Sequence, residues 1–205
     1  MINEVRTYEV KPGAVARWEG HFADALPNRV KYSELAALWH TEIGPLNQVI
    51  HVWPYESLEH RAEVRAKAAQ EPGWPPKGGE LLLSMDSQIW TPAPFSPAMG
   101  GNRKLGNVYE MRIYEYQPGS MPKVLAAWEK SLPKRLELSP IAGCMYTDIG
   151  GLNLWMHIWP YADLGERDRV RAASMSLPDW PPQTREWLVN MRNMIVAPAA
   201  CSPMA

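Results

Sequence analysis

Phenylalanine and cysteine are almost missing from this chain, and neither sign of charge is in excess. There are two Phe and two Cys in 205 residues, with 21 basic against 22 acidic residues and a formal net charge of −1. Two cysteines cannot supply a disulfide framework, so Cys144 reads as a small packing group and an intracellular setting is expected. Balanced, well-mixed charge argues against nucleic acid or an anionic membrane as the main partner. No apolar run approaches the roughly 18 residues of a membrane span. The N-terminus has no charged-then-apolar signal pattern, so the expectation is a soluble cytoplasmic protein. Also missing are a Gly-rich phosphate loop, a Gly-x-Ser-x-Gly elbow, a Cys-x-x-Cys pair and a His-Glu-x-x-His motif, which leaves no sign of nucleotide or zinc chemistry.

Tryptophan stands where phenylalanine is scarce, ten residues of it. Each indole brings a large apolar area and an N–H that seeks a partner, which suits a lined cavity or an interface better than an aliphatic core.

The chain is one domain written twice. Glu4-Val-Arg-Thr-Tyr-Glu-Val-Lys-Pro-Gly13 answers Glu110-Met-Arg-Ile-Tyr-Glu-Tyr-Gln-Pro-Gly119 at an offset of 106, and 37 of 99 aligned positions are identical without an insertion. Ile43-Gly-Pro-Leu-Asn47 answers Ile149-Gly-Gly-Leu-Asn153, His51-Val-Trp-Pro-Tyr55 answers His157-Ile-Trp-Pro-Tyr161, and Trp74-Pro-Pro answers Trp180-Pro-Pro. The unit is too long for a solenoid repeat of about 20–50 residues. The organisation expected is a domain over residues 1–98, a linker over 99–106 and a second domain over 107–205.

Each copy parses alike. Residues 3–10 alternate and end at Pro-Gly, a strand and a turn. Residues 15–32 read as helix, with Pro27 (and Pro133 in the second copy) expected to kink or split it. Residues 36–43 and 48–54 read as a hairpin around a four-residue loop. A helix follows over 57–70, capped by Ser57 in one copy and by an Asp163/Glu166 pair in the other, and residues 81–90 form the last strand. The order βαββαβ is the ferredoxin-like unit, with both helices on one face of an antiparallel sheet. The bare sheet faces need a cover. The fold class expected is therefore α+β: two tandem units packed sheet to sheet as a pseudo-dimeric α/β barrel within one chain.

Strand alternation sorts the side chains. The aliphatic set (Ile50, Val52, Met111, Ile113, Met156, Ile158) is assigned to the helix side. Arg6, Tyr8, His51 and Trp53, with Arg112, Tyr114, Trp155, His157 and Trp159, are assigned to a cavity between the sheets. The four-residue loop would set His40 opposite His51 and Glu42 opposite Val49, adding His40, Glu42 and their counterparts Tyr146 and Asp148 to the lining. Arg6 and Arg112 would pair with Glu42 and Asp148 or hold a ligand oxygen. Tyr55 and Tyr161 would staple a helix start. The Arg61/Arg65 and Arg167/Arg171 pairs would form a charged helix face or anchor a loop. His40, Glu42 and His51 have the makings of a two-His, one-carboxylate set, but Tyr146 replaces His40 in the second copy, and no metal is expected.

On the Glu4–Gly13, Thr41–Asn47 and His51–Arg61 motifs and their repeats at 110–119, 147–153 and 157–167, the chain resembles the NIPSNAP family, over nearly its whole length and twice. That resemblance implies the dimeric α/β-barrel fold. The wider superfamily implies cofactor-free monooxygenases, isomerases, cyclases and haem-binding enzymes, and no catalytic motif to carry over.

The functional expectation is a small-molecule enzyme without metal or nucleotide. It would bind a small aromatic or apolar compound in the barrel, where His51 or His157 moves a proton while Arg6, Arg112, Tyr8 and Tyr114 hold an oxygen. His40, Glu42, Trp53, Tyr146, Asp148, Trp155 and Trp159 would line the substrate. The alternatives are a non-catalytic binding or interaction module using the Trp-Pro-Pro loops, and a haem protein with His51 or His157 as axial ligand. Further self-association is compatible with the sequence.

Overall fold

The alternating opening segment hands over to a Pro-Gly turn as its sequence requires. In the computed structural model, which describes residues 1–205, β1 (Ile2–Val10) leads into α1 (Val15–Arg29). Then come β2 (Ala37–Ile43), β3 (Gln48–Tyr55), α2 (Leu58–Ala69) and β4 (Leu82–Pro92). The second half repeats the order with β5 (Val108–Tyr116), α3 (Met121–Leu136), β6 (Gly143–Ile149), β7 (Leu154–Tyr161), α4 (Leu164–Ser174) and β8 (Leu188–Pro198). Ser57 caps α2 by accepting from the His60 amide at 3.2 Å. Asp163 caps α4 by accepting from the Glu166 amide at 2.7 Å, and the Glu166 carboxylate accepts from the Ala162 amide in return.

The prolines do not split their helices. α1 runs through Pro27 and α3 through Pro133. Each proline sits within the last turn, where its missing N–H forfeits one hydrogen bond and little helix remains to be deflected.

Eight antiparallel strands close into a barrel in the order β1-β3-β2-β8-β5-β7-β6-β4. Each half contributes four consecutive strands, and the joints between halves are β2 with β8 and β4 with β6. The repeated Ile-Gly-x-Leu-Asn motif is turn chemistry. Asn47 and Asn153 sit at φ 58°, a conformation Asn tolerates better than most residues. Gly44 has φ +124°, and a Cβ there would meet the Met194 Cβ of β8 at 3.0 Å.

The hairpin register differs from the expectation. His40 pairs with Val49 and Leu38 with His51, and Tyr146 pairs with Trp155 and Cys144 with His157. Beyond His40 the outer end of β2 leaves β3 and pairs with β8, Thr41 opposite Val196 and Ile43 opposite Ile195. The connection is therefore effectively longer than four residues. The slip is by two, so every side chain keeps its face.

The faces themselves are inverted relative to the expectation. Val5, Ile50, Val52, Met111, Ile113, Met156 and Ile158 point into the barrel, where they join Trp39, Trp90, Tyr109, Met145, Met194 and Val196 in one cluster drawn from all eight strands. The cavity expected on the barrel axis is a packed apolar core, as suits a barrel of eight strands, whose bore side chains just fill. Met99 from the linker and Met204 from the C-terminal tail enter the same cluster. The other strand face lies under the helices: the Tyr8 and His51 rings stand 5.7 and 6.2 Å from Trp18 of α1, and His157 stands 4.5 Å from Trp128 of α3. The misassignment has a physical cause. β3 and β7 are buried on both faces from their second residue onward, so apolar character cannot tell inside from outside. No helix is long and apolar enough to cross a membrane.

Candidate functional site

Inverting the faces moves the candidate residues from the barrel axis to the layer between sheet and helices, and there each half has a pocket. Its floor is the first and third strands, its sides are the two helices, and its lid is the Trp-Pro-Pro loop. The pocket of the first half has a volume of about 300 Å³ and that of the second about 580 Å³. Arg6, Tyr8, His51 and Trp53 line the smaller, and Arg112, Tyr114, His157 and Trp159 line the larger. Part of the size difference is local. Trp18 lines the first pocket, and its counterpart in the repeat is Val124, which does not reach the second.

His51 and His157 are 3 % exposed, and one hydrogen bond fixes the tautomer of each. The indole Nε1–H of Trp53 donates to Nδ1 of His51 at 2.6 Å, and Trp159 does the same to His157 at 2.6 Å. Indole is a donor only, so Nδ1 must present a lone pair, and the neutral ring carries its proton on Nε2. Nε2 is buried without a partner in both copies. Burial, reinforced by Arg6 and Arg65, pushes His51 down to about 3, and burial with Arg112 and Arg171 holds His157 well below the usual imidazole range. At neutral pH both rings are uncharged, with the Nδ1 lone pair taken by an indole N–H and the proton on Nε2, so each presents a donor to its surroundings. The same geometry does not fit haem. Iron needs the Nε2 lone pair, and a ligating histidine offers its other N–H to an acceptor, whereas Nδ1 here faces a donor. Nor does any group of three His, Cys, Asp or Glu gather anywhere in the chain.

The arginines pair differently from the expectation. Glu4, fully buried, accepts from Arg6 at 2.7 Å and from Arg61 at 2.6 Å, with Arg65 at 3.6 Å. Glu110 accepts from Arg112 at 2.7 Å, Arg167 at 2.8 Å and Asn193 at 3.1 Å, with Arg171 at 3.4 Å. Glu42 and Asp148 are not their partners, because both lie exposed at the hairpin ends. The helix pairs Arg61/Arg65 and Arg167/Arg171 anchor to a strand carboxylate, not to a loop. Burial pushes Glu4 upward, but hydrogen bonds from Arg61 and Ser87 and the charges of Arg6 and Arg65 outweigh it and hold the carboxyl near about 2. Glu110 is lowered by the same opposition. In each half the clamp aims the first arginine, whose Nε–H donates to a tyrosine hydroxyl: Arg6 to Tyr8 at 2.7 Å and Arg112 to Tyr114 at 2.8 Å.

Five candidate residues stand outside the pockets. His40 bonds to Glu19 at 2.7 Å and Glu42 at 3.0 Å, and these raise its pKa. Tyr146, Glu42 and Asp148 sit toward the hairpin ends, and Trp155 is buried against Trp128 at 5.2 Å. Other residues do line the pockets and were not foreseen there. Arg29 and Arg135 cross from the helices to Tyr55 and Tyr161, which are therefore hydrogen-bond acceptors more than helix staples. Trp74 and Trp180 turn inward, 6.2 Å from Trp53 and 6.0 Å from Trp159, and form the lid. A signal for Arg29 was present: an arginine on the apolar stripe of a helix, identical in both copies. Cys144 is buried and its thiol is pushed up to about 12, so it packs.

A family model described as NIPSNAP matches residues 3–97 and again 109–203. Human NipSnap homolog 3B is 28 % identical over 98 % of this chain and 85 % of its own length. The NipSnap homolog of Dictyostelium discoideum is 28 % identical over 94 % of this chain and 84 % of its own. Among solved structures, a Lactobacillus acidophilus protein whose name proposes monooxygenase activity matches with a TM-score of 0.68, covering 100 % of this chain and 97 % of that one at 10 % identity. An anthrone oxidase-like protein matches with a TM-score of 0.64, covering 98 % and 93 % at 8 % identity. At such identities the likeness to the last two is one of fold.

Proposed function

The chain belongs to the NIPSNAP family, and we propose that this member is a small-molecule enzyme working without metal or nucleotide, with one site under the helices of each half. The substrate is a small aromatic or otherwise apolar compound bearing an oxygen, and the reaction is proton transfer: isomerisation, elimination or cofactor-free oxygenation. The observation that carries this reading is the pair of buried Nε2–H groups on His51 and His157, each without a partner in the protein, on side chains that each line a pocket. A buried donor left unpaired costs about 1–3 kcal/mol, which a ligand oxygen would recover.

The chemistry follows from the donor set. A neutral imidazole N–H beside a guanidinium stabilises negative charge developing on a ligand oxygen, as an enolate or phenolate forms. Proton handling falls to Tyr8 and Tyr114. Their oxygens accept from Arg6 and Arg112, which leaves each hydroxyl proton free to pass to the substrate and return. Aromatic walls exclude water and bind the apolar body. The kinship of fold with proteins whose names point to oxygenation and oxidation supports this class of chemistry.

The test begins with mass-spectrometric identification of whatever co-purifies with the protein, followed by assay of turnover. Tyr114→Phe and His157→Gln should each cost about 10²-fold in kcat in the second half's site, and far less in melting temperature. Full turnover in a protein carrying both Tyr8→Phe and Tyr114→Phe would remove the mechanism.

A further inference from the structure

Every charged residue that lines either pocket is an arginine: Arg112, Arg135, Arg171 and Arg185 in the larger, Arg6, Arg29 and Arg65 in the smaller. Four of these have a carboxylate within 4 Å: Arg6 and Arg65 through Glu4, and Arg112 and Arg171 through Glu110. Arg185 is exposed to water. Arg29 and Arg135 have neither escape. They are 3 % and 2 % exposed, and neither forms a salt bridge. A buried guanidinium without a counterion is costly, because burial removes the water that stabilised the charge.

Their protein contacts are neutral. Arg29 donates to Ser33 at 2.9 Å and to Tyr55 at 2.8 Å, and its guanidinium carbon lies 4.3 Å from the centre of the Trp53 ring. Arg135 donates to Ser139 at 2.9 Å and to Tyr161 at 3.4 Å, with its carbon 4.2 Å from the Trp159 ring centre. Two of five N–H groups are used in each case, and stacking fixes the plane of the fork. Burial lowers the pKa of both groups from the ordinary arginine value, as expected of a cation that lacks an anion. A purely structural arginine on a helix–sheet interface would have no reason to open onto a cavity, and in both halves it does.

We infer that each pocket takes an apolar carboxylate, its carboxyl group bound by Arg29 or Arg135 and its hydrocarbon body held between the tryptophans of strand and lid. In each pocket one buried guanidinium has no carboxylate of its own, and a carboxylate matches its planar fork. The Trp-walled space calls for a flat apolar body behind it. The inference rests on the pockets' being ligand sites, as proposed above, and narrows the substrate from an oxygen-bearing apolar compound to an aromatic or similarly apolar acid.

Calorimetric titration of the full chain with 1-naphthoate, 1-naphthamide and 1-naphthyl phosphate tests it. Naphthoate should bind about tenfold or more tighter than the isosteric neutral amide, the difference expected of a charge-assisted hydrogen bond. Arg135→Gln should remove that preference in the second half's site, while naphthamide affinity stays within about twofold. Should Arg135→Gln not fold, the naphthoate-to-naphthamide ratio on the unmodified protein decides alone. Equal affinity for naphthoate and naphthamide would overturn the inference yet leave the pockets as small-molecule sites. Binding of neither would overturn it and withdraw support from the proposed function as well. Tighter binding of naphthyl phosphate than of naphthoate would overturn the assignment to carboxylates.

Discussion

Acidified from neutrality, the protein should lose stability steadily, beginning well above the range in which carboxylates titrate. His51 sits at about 3 when folded, against 6.5 for a free imidazole. Below pH 6.5 the unfolded chain takes up a proton that the folded protein refuses until about pH 3. Stability from this group is therefore fully present above about pH 6.5 and lost as pH falls toward 3, with a limit of about 5 kcal/mol for the single site. Glu4 adds a second stage of the same sign. Its folded pKa of about 2 lies below the ordinary glutamate value of 4.5, so its contribution holds above about pH 4.5 and vanishes as pH falls through 2. His157 and Glu110 shift in the same directions. Urea midpoints should be nearly level above about pH 7 and fall from about pH 6.5 to 4, and His51→Gln should flatten the upper part of that slope. A profile level down to pH 5 in the unmodified protein would show that the imidazoles are not buried as described.

Glu110→Gln should destabilise the protein by about 3–5 kcal/mol, because it removes the one buried carboxylate of the cluster, leaving Arg112 and Arg171 without an anion and Arg167 with the exposed Asp168 alone. The Glu110 side chain is fully buried, and Arg112 beside it is only 16 % exposed. The melting temperature should drop on the order of 10 °C. The effect reaches function through geometry, since Arg112 held by Glu110 is what positions the Tyr114 hydroxyl. A shift under about 1 kcal/mol, typical of exposed pairs, would mean the cluster is open to water.

The repeat and the strand–helix order were legible because periodicity and Pro/Gly punctuation are local signals. From βαββαβ twice, closure into a barrel followed from the need to cover two bare sheet faces. The orientation of those faces was not legible. In β3 and β7 both faces are buried, so His51 and Trp53 on one side and Ile50 and Val52 on the other are equally at home inside. Parity was nevertheless informative. It placed His51 with Trp53 and Arg6 with Tyr8, and those pairs hydrogen-bond as neighbours on one face. The tautomer that turns His51 from base into donor depends on a 2.6 Å contact that no spacing rule supplies. Arg29 was visible as an anomaly on an apolar helix stripe, but its meaning required seeing that Glu4 was already taken by Arg6, Arg61 and Arg65.

On the proposed function the molecule takes its ligand under the helices and not along the barrel axis. A crystal soaked with neutral 4-bromophenol and measured at the bromine edge tests this most directly. The anomalous peak should fall between β5, β7, α3 and α4, against Trp159 and Trp180, or in the matching place beside Trp53 and Trp74. A peak on the barrel axis among Met111, Met156 and Ile158, with the two outer pockets empty, would contradict it.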